Sequence, residues 1–314
     1  MAAAIAIERY TPAHKPAWDA FVAASKNGTF LLQRSYMDYH SDRFKDHSLL
    51  FFRKGKLVAL LPANEAGDVI QSHGGLTYGG VISGSSMKVA LMLEVFETMR
   101  SYFRARGLST LTYKAIPHIY HRLPAEEDLY ALFRQQAVLC RRDVSSAIDL
   151  QQRLPYAELR QRKLKQAAKS DIVVAPSDDF ETFMQIEEQL LESKYNTRPV
   201  HTAAELRRLA LLFPENIRLH AAACQGAMVA GVIIYETEQV AHCQYIATTA
   251  EGRVLNALDA LVHELLTHVY PHKKYFNFGI STEQQGQYLN QGLISNKESY
   301  GARAVVQDFY ELTM

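Results

Sequence analysis

The sequence is poor in cysteine, has almost no net charge and contains no long apolar run. Its three cysteines, Cys140, Cys224 and Cys243, are widely separated, which argues against a disulfide framework or a structural zinc site and suits a reducing compartment. A formal net charge of +1 gives no general attraction to nucleic acid or acidic lipid. No run approaches the roughly 18 apolar residues of a membrane span, and the first residues do not resemble a signal peptide. The composition predicts a cytoplasmic protein without a membrane span.

What the sequence does contain is enough apolar material for two folded domains. The chain has 314 residues, of which 48% are hydrophobic, and two domains of about 150 residues are the natural expectation. Turn residues and apolar spacing predict a hairpin around residues 53–56, a helix over 85–107 and a strand over 108–117. The second half shows the same order: a hairpin over 217–236, a strand over 239–249, a helix over 254–270 and a strand over 274–280.

The two halves also share a short sequence pattern. The segment "RKGKLVALL" (53–61) aligns with "CQGAMVAGV" (224–232), with the turn glycine and the apolar rhythm in register. Recurrence of one pattern in one element order predicts two copies of an α/β unit. The predicted fold class is therefore α/β (α+β), with tandem domains at 1–152 and 153–314, each a mixed, mostly antiparallel sheet flanked by helices.

A dense basic segment, "ELRQRKLKQAAKSD", lies between the copies. Its charges are Arg160, Arg162, Lys163, Lys165 and Lys169 on a predicted helix. One interpretation is a solvated linker face. The other is a contact for an anion, either phosphate or an RNA backbone.

The order of elements resembles the acetyltransferase fold called GNAT. In that fold two neighbouring strands diverge, an acyl thioester enters the gap, and backbone amides at the next helix N-terminus hold its pyrophosphate. The corresponding segment here is "YIATTAEGRVLNALDAL". The family's signature is Gln/Arg-x-x-Gly-x-Gly/Ala, and this chain places Thr249 at its first position and Val254 at its last. The resemblance implies that Thr248, Thr249, Gly252 and Arg253 contact the donor.

Three features in order resemble the FemABX-like branch of the superfamily, the tandem peptidyl and aminoacyl transferases. They are the basic segment, "KKYFNFGIS" with Asn277 in place of Asp, and "NQGLISNKESYGAR" with Asn296 and Tyr300 in place of Phe. The segments "YKAIPHIYHRLPAEEDLYALFR" and "RPVHTAAEL" also resemble uncharacterised GNAT proteins of bacterial surface-polysaccharide gene clusters. In Fem-type enzymes an amine attacks an ester on tRNA. The resemblance implies that Lys297, the motif lysine, is a catalytic cation that stabilises the developing oxyanion; the alternative is a surface lysine.

An amine nucleophile also needs a base. The candidates are His201, His242 and Glu187. Strand alternation predicts His242 and Gln244 on one face and Cys243 and Tyr245 on the other. His201 precedes Thr202 at the predicted start of a helix, so a role in helix capping is the alternative to a catalytic role. Glu187 is expected on the exposed surface of its helix.

Polar and aromatic residues elsewhere suggest an acceptor pocket. The predicted substrate-binding residues are His73, Tyr78, Lys114, His118, Tyr120, Gln244, Tyr245 and Asn290. Glycine-rich and aromatic loops of this kind suit a sugar or nucleotide, although a tight turn and a half-exposed loop explain them equally. No metal site is predicted, because His118 and His121 lack a third ligand.

The sequence thus predicts an N-acyltransferase that moves an activated acyl or aminoacyl group to an amine of a small cell-envelope or sugar precursor. The acceptor would be an amino sugar, a nucleotide sugar or a peptidoglycan-type precursor. The first domain is the expected acceptor side and the second the donor side. No tightly bound cofactor is expected, and acyl-CoA or aminoacyl-tRNA is the donor co-substrate. The alternatives are a non-catalytic ligand-binding protein and a tRNA-dependent aminoacyl transferase.

Overall fold

The computed structural model describes residues 4–195 and 197–314, without the side chains of residues 40 and 193–195. The chain forms two compact units. The first comprises residues up to 144 together with 283–288 and 306–314, and the second comprises 145–282 and 289–305. Residues of the last strand therefore belong partly to each unit. The roles predicted for the segments 1–152 and 153–314 stay predictions.

The described chain contains both strands and helices. The strands are β1 (Ile5–Arg9), β2 (Lys45–Asp46), β3 (Leu49–Arg53), β4 (Lys56–Leu61), β5 (Asn64–Ala66), β6 (Val69–Gln71), β7 (Ile82–Ser83), β8 (Thr110–Lys114), β9 (Val138–Asp149), β10 (Ile172–Ser177), β11 (Ile217–Cys224), β12 (Ala227–Glu236), β13 (Val240–Thr248), β14 (Tyr275–Ile280), β15 (Thr282–Glu283), β16 (Tyr288–Leu289) and β17 (Arg303–Thr313). The helices are α1 (Lys15–Ala24), α2 (Arg34–Met37), α3 (Val89–Arg104), α4 (Glu127–Arg134), α5 (Glu158–Ala167), α6 (Phe180–Tyr195), α7 (Ala203–Leu212), α8 (Ala250–Leu255), α9 (Ala257–Glu264) and α10 (Gln291–Glu298).

In the first unit, β1, β3, β4 and β7 form an antiparallel set, and β2, β5, β6 and β8 form a second set in which only β6 and β8 run parallel. The last residues of β17 pair antiparallel with β8. Helix α3 covers this core with an apolar stripe at helical spacing. The buried residues of the stripe are Met92, Val95, Phe96, Met99 and Phe103.

The second unit has the strand order β10, β11, β12, β13, β14. Neighbours are antiparallel except for the parallel pair β13 and β14, and the end of β9 lies antiparallel to β14. Leu261 and Val262 of helix α9, with Leu265 directly after it, pack against Val232 and Ile234 of the sheet. Both units are mixed, mostly antiparallel sheets flanked by helices, and the predicted fold class is confirmed.

The predicted hairpins are present in both units. The turns Lys54-Gly55 and Gln225-Gly226 have positive φ at both residues, at 50° and 72° and at 50° and 83° respectively. Two-residue turns with two positive φ values match the twist of paired strands, and glycine at the second position removes the steric cost. The two aligned segments therefore occupy the same local structure.

The helix predicted over residues 254–270 is interrupted. It starts earlier, at Ala250, and breaks at Asn256, whose φ of 55° is left-handed. A π-helical turn over Leu265–Val269 then replaces the last α-helical turn. Asparagine tolerates the left-handed conformation better than most residues, and that preference allows the break without glycine.

Candidate functional site

The second unit contains a cavity of about 410 Å³ at the point where two parallel strands separate. Strands β13 and β14 pair only from Val240 to His242, opposite Tyr275 to Asn277. Beyond this point β13 and β14 no longer pair with each other. Ile246 and Thr248 of β13, which stay paired with β12, and Phe278 of β14 line the cavity. Diverging strands expose side chains and backbone groups that a ligand can contact, and the volume lies within the range of small-molecule sites.

Lys297 lies in the wall of this cavity. It belongs to α10, whose first turn is capped by Asn290, where Oδ1 accepts a hydrogen bond from the Leu293 amide at 2.9 Å. The side chain is buried, and Nζ donates to the carbonyl oxygens of Gly279 at 2.9 Å and Ile280 at 2.6 Å. Burial lowers the pKa of Lys297 to about 8. An ammonium has three donors, so these two hydrogen bonds leave one for a ligand.

The carbonyls that hold Lys297 belong to a turn at the end of β14. Gly279 has a φ of 75°, in the left-handed region. Asn277 Oδ1 accepts hydrogen bonds from the Gly279 amide at 3.0 Å and from Ser145 Oγ at 2.7 Å. Asparagine therefore accepts both hydrogen bonds at the position where the Fem-type motif has aspartate. The turn is fixed by side-chain contacts, and its geometry orients the ammonium.

Arg160, from the basic segment, is buried and is not part of a solvated face. It forms an ion pair with Asp259. Its Nη1 donates to Tyr300 Oη at 3.0 Å, and its guanidinium lies 3.8 Å from the centre of the Tyr300 ring. Tyr300 stacks on Phe278 at 5.3 Å between ring centroids. This cluster ties α5, α9 and the end of α10 together around the cavity. Lys163, another residue of the basic segment, also lines the cavity.

The expectation that Glu187 lies on the surface is wrong. The residue is only 6% exposed and lines the same cavity as Lys297. Burial raises the pKa of Glu187 to about 7. A sequence signal was available, because Phe180, Phe183, Met184 and Glu187 follow the i, i+3, i+4, i+7 spacing of one helix face. The first three are buried apolar residues, so the fourth position faces inward too.

The four residues predicted to contact the donor all have partners inside the protein. Thr249 caps α8 and accepts from the Gly252 amide at 2.9 Å. Thr248 Oγ1 donates to the Val229 carbonyl at 3.1 Å, and Arg253 Nη1 donates to the Thr248 carbonyl at 3.3 Å. A Cβ on Gly252 would lie 2.2 Å from the Val229 oxygen, so close packing on β12 requires glycine there. Thr248, Gly252 and Arg253 line the cavity; their role toward a donor stays a prediction.

The predicted alternation on β13 is wrong beyond residue 243. Cys243 pairs with Ile234 of β12, and Tyr245 pairs with the adjacent Ile233. Gln244 is therefore the extra residue of a β-bulge. Ile233 and Ile234 point to opposite faces, and Cys243 and Tyr245 therefore do so as well. His242 pairs with Tyr235 and shares a face with Tyr245.

The two candidate histidines have separate environments. Hydrogen bonding joins His201 Nδ1 and Tyr245 Oη at 2.6 Å. The neighbouring Thr202 caps α7, as expected. His242 is buried, and burial together with the Lys297 charge lowers its pKa to about 4. An imidazole with this pKa is neutral at physiological pH but is a weak base. Both histidines stay predicted catalytic residues.

The predicted acceptor residues of the first unit form two local clusters. Lys114 Nζ donates to the carbonyls of His73, Gly74 and Leu76 at 3.2, 3.1 and 2.9 Å. Tyr78 is buried; its hydroxyl lies 3.0 Å from Thr29 Oγ1, and its ring lies 4.6 Å from that of Tyr120. His118 is exposed at the start of a 3-10 turn. These contacts stabilise the loops, and the acceptor role stays a prediction.

Comparison with known proteins identifies the fold. Residues 157–287 match the family described as acetyltransferase (GNAT) domain. The crystal structure of FemX is similar with a TM-score of 0.69 and 9% identity, covering 98% of this chain and 97% of that one. The C-terminal domain of a putative lysylphosphatidylglycerol synthetase from Agrobacterium fabrum gives 0.63 and 11%, covering 96% and 92%. A tandem GNAT protein from the clavulanic acid biosynthesis pathway gives 0.52 and 13%, covering 98% of each chain. A search of curated proteins found no match.

The chain therefore contains a GNAT acetyltransferase domain at 157–287 and has a tandem, FemABX-like GNAT fold. The predicted family resemblance is confirmed, and so is the class of enzyme, an acyltransferase. Among the helices of residues 4–195 and 197–314, none combines the length and the apolar character that a membrane crossing requires.

Proposed function

We propose that the second-unit cavity transfers an acyl or aminoacyl group from an activated ester or thioester to a primary amine. The observation that supports this most is the position of Lys297. Its ammonium is buried in the wall of the cavity formed by the diverging strands, and two backbone carbonyls orient it. A fixed cation in a site with little water stabilises a developing negative charge strongly and needs no reorganisation during the reaction.

The reaction would proceed by direct attack. The nitrogen of the acceptor forms a bond to the carbonyl carbon, and the carbonyl oxygen becomes an oxyanion that Lys297 stabilises. The tetrahedral intermediate then loses the bond to the leaving oxygen or sulfur. The proton released by the amine ends on that leaving group, and the products are an amide and an alcohol or thiol. Apolar side chains in the cavity, including Leu191, Ile246 and Phe278, would contact the acyl part.

The acceptor that we propose is an amino sugar, a nucleotide sugar or a peptidoglycan-type precursor. The donor is acyl-CoA or an aminoacyl-tRNA, because both bring a polyanion to a cavity that Lys163 and Arg253 line. One of the similar structures is named as a lysylphosphatidylglycerol synthetase, which supports the inclusion of aminoacyl donors among the substrates to be screened.

The test is a transfer assay with mass-spectrometric detection of acylated acceptors, run on donor and acceptor panels. Lys297→Met should lower product formation about 10²-fold or more, and Lys297→Arg should retain more of it because the cation remains. Lys274→Met is the matched control, since Lys274 is exposed in the same unit. Ligand binding without product, unaffected by Lys297→Met, would instead support a non-catalytic binding protein.

A tRNA-dependent activity is favoured by the exposed charges of the basic segment, Arg162, Lys165 and Lys169. Binding of tRNA through such contacts weakens linearly with the logarithm of the salt concentration, with a slope change of about 1 for each phosphate contact removed. Arg162→Ala and Lys165→Ala should each reduce the slope. An unchanged slope excludes this surface as the tRNA contact.

A further inference from the structure

Glu187 is a buried carboxylate with an oxygen that the protein does not satisfy. Among the residues that the structure describes, none offers a hydrogen bond to Oε2. The side chain lies on α6, is 6% exposed and lines the 410 Å³ cavity. An apolar residue at this position on the buried stripe of α6 would pack without the cost of desolvating a carboxylate. The structure therefore contains a buried acceptor without a partner among the described residues, on a side chain that lines the cavity.

The charged groups around the cavity show what that ligand must carry. Those that line it besides Glu187 are Arg160, Lys163, Arg253, Asp259 and Lys297, with the Tyr300 hydroxyl. Arg160 and Asp259 neutralise each other, and Lys297 is held by two carbonyls. Burial is the cause of the raised pKa of Glu187, and no cation among the side chains that the structure describes opposes it. A substrate that carries a cation would supply the partner that these described residues do not give to Oε2.

We infer that Glu187 binds a protonated primary amine of the substrate through Oε2. This inference rests on the proposed function and specifies the chemistry of its ligand. Two reactants of the proposed transfer can bring such an amine: the acceptor, through its nucleophilic nitrogen, and an aminoacyl donor, through its α-amine. In the first case Glu187 also receives the proton that the acceptor ammonium must lose before the nitrogen attacks. The nitrogen loses a second proton after the attack, so that one of the two protons ends on the leaving group and the other is released to solvent.

The inference can be tested by binding, without turnover. The primary probe is n-butylamine, with n-butanol as its neutral counterpart. Amine binding should weaken about 10- to 100-fold in Glu187→Gln, the size expected for a buried charge-assisted hydrogen bond, and butanol binding should not change. Glu188→Gln is the matched control, because the neighbouring carboxylate is exposed on the same helix. For the wild type, affinity for the amine should rise about tenfold from about pH 6 to about pH 8, as Glu187 ionises.

Two further probe pairs distinguish the sources. Preference for leucinamide over N-acetylleucinamide assigns the amine to the donor, and preference for glucosamine over N-acetylglucosamine assigns it to the acceptor. Equal binding of amines and their neutral counterparts, or equal amine affinity in wild type and Glu187→Gln, overturns the inference. A failed transfer assay combined with Glu187-dependent amine binding would refute the proposed function and leave this inference standing.

Discussion

Replacing Glu187 with glutamine removes a buried charge for which the described side chains provide no ion pair, and the raised pKa gives the size of the effect. Burial raises the pKa of the residue from 4.5 to about 7, a difference of 7 − 4.5 = 2.5. At about 1.4 kcal/mol for each pKa unit, the ionised form destabilises the folded state by about 3 kcal/mol. Removal of this charge would raise the free energy of unfolding by the same amount, but an unpaired amide N–H in the variant would reduce that increase by about 1 kcal/mol. Glu187→Gln should therefore be about 2 kcal/mol more stable than the wild type at pH 8.

The pH dependence gives the prediction its sign. A carboxyl group with a raised folded-state pKa binds its proton more tightly in the folded state than in the unfolded state. Its cost is absent below the unfolded value of 4.5 and is complete above about 7. The free energy of unfolding of the wild type should thus fall relative to that of the variant across this range. Near pH 4 the variant should be about 1 kcal/mol less stable than the wild type, because the cost of its unpaired amide does not depend on pH.

The measurement is urea unfolding at several pH values, followed by far-UV circular dichroism. Fluorescence of the single tryptophan is unsuitable, because Trp18 lies in the first unit and Glu187 in the second. Hydrogen exchange of peptides from α6 would localise the effect. Glu188→Gln should show no such pH dependence. A variant that is less stable than the wild type at pH 8, or a difference that does not change with pH, would refute the assignment of Glu187 as a buried, unpaired carboxylate.

Three further predictions concern the same unit. Lys297→Met should lower kcat about 10²-fold or more, the loss typical of removing an oxyanion contact, with circular dichroism confirming the fold; an equal loss in Lys274→Met would contradict the role. Because burial lowers the pKa of Lys297 to about 8, the wild-type rate should fall above about pH 8 as the ammonium deprotonates, and in Lys297→Arg this limb should move to higher pH; a pH–rate profile decides. Gly252→Ala should lower stability by about 1–3 kcal/mol, since its Cβ would overlap the Val229 carbonyl; an unchanged melting temperature would show that α8 shifts freely on β12.

Local features of the fold followed from the sequence because their causes are local. The hairpin turns at 54–55 and 225–226 combine a glycine with flanking apolar runs, and turn geometry needs no distant partner. The stripe on α3 follows from helical periodicity. The motif around Lys297 was recognisable as a resemblance, and the structure places that residue in the cavity wall.

The candidate site depended on contacts that no local pattern specifies. Arg160 and Asp259 form their ion pair across 99 positions of the chain, so a basic segment that looked solvated contains a buried residue. A single bulge at Gln244 reversed the predicted facing of Tyr245, because strand alternation shifts by one residue wherever an extra residue is inserted.

The sequence by itself determined the tandem α/β order, the hairpins, the helical stripes and the position of the motif lysine, all of which depend on residues near one another in the chain. Only the tertiary structure decided that β13 and β14 separate after three paired residues, and that Glu187 and Lys297 then line one cavity. The reason is that the burial and ionisation of a side chain depend on what packs against it. For these two residues the packing partners come from distant parts of the chain.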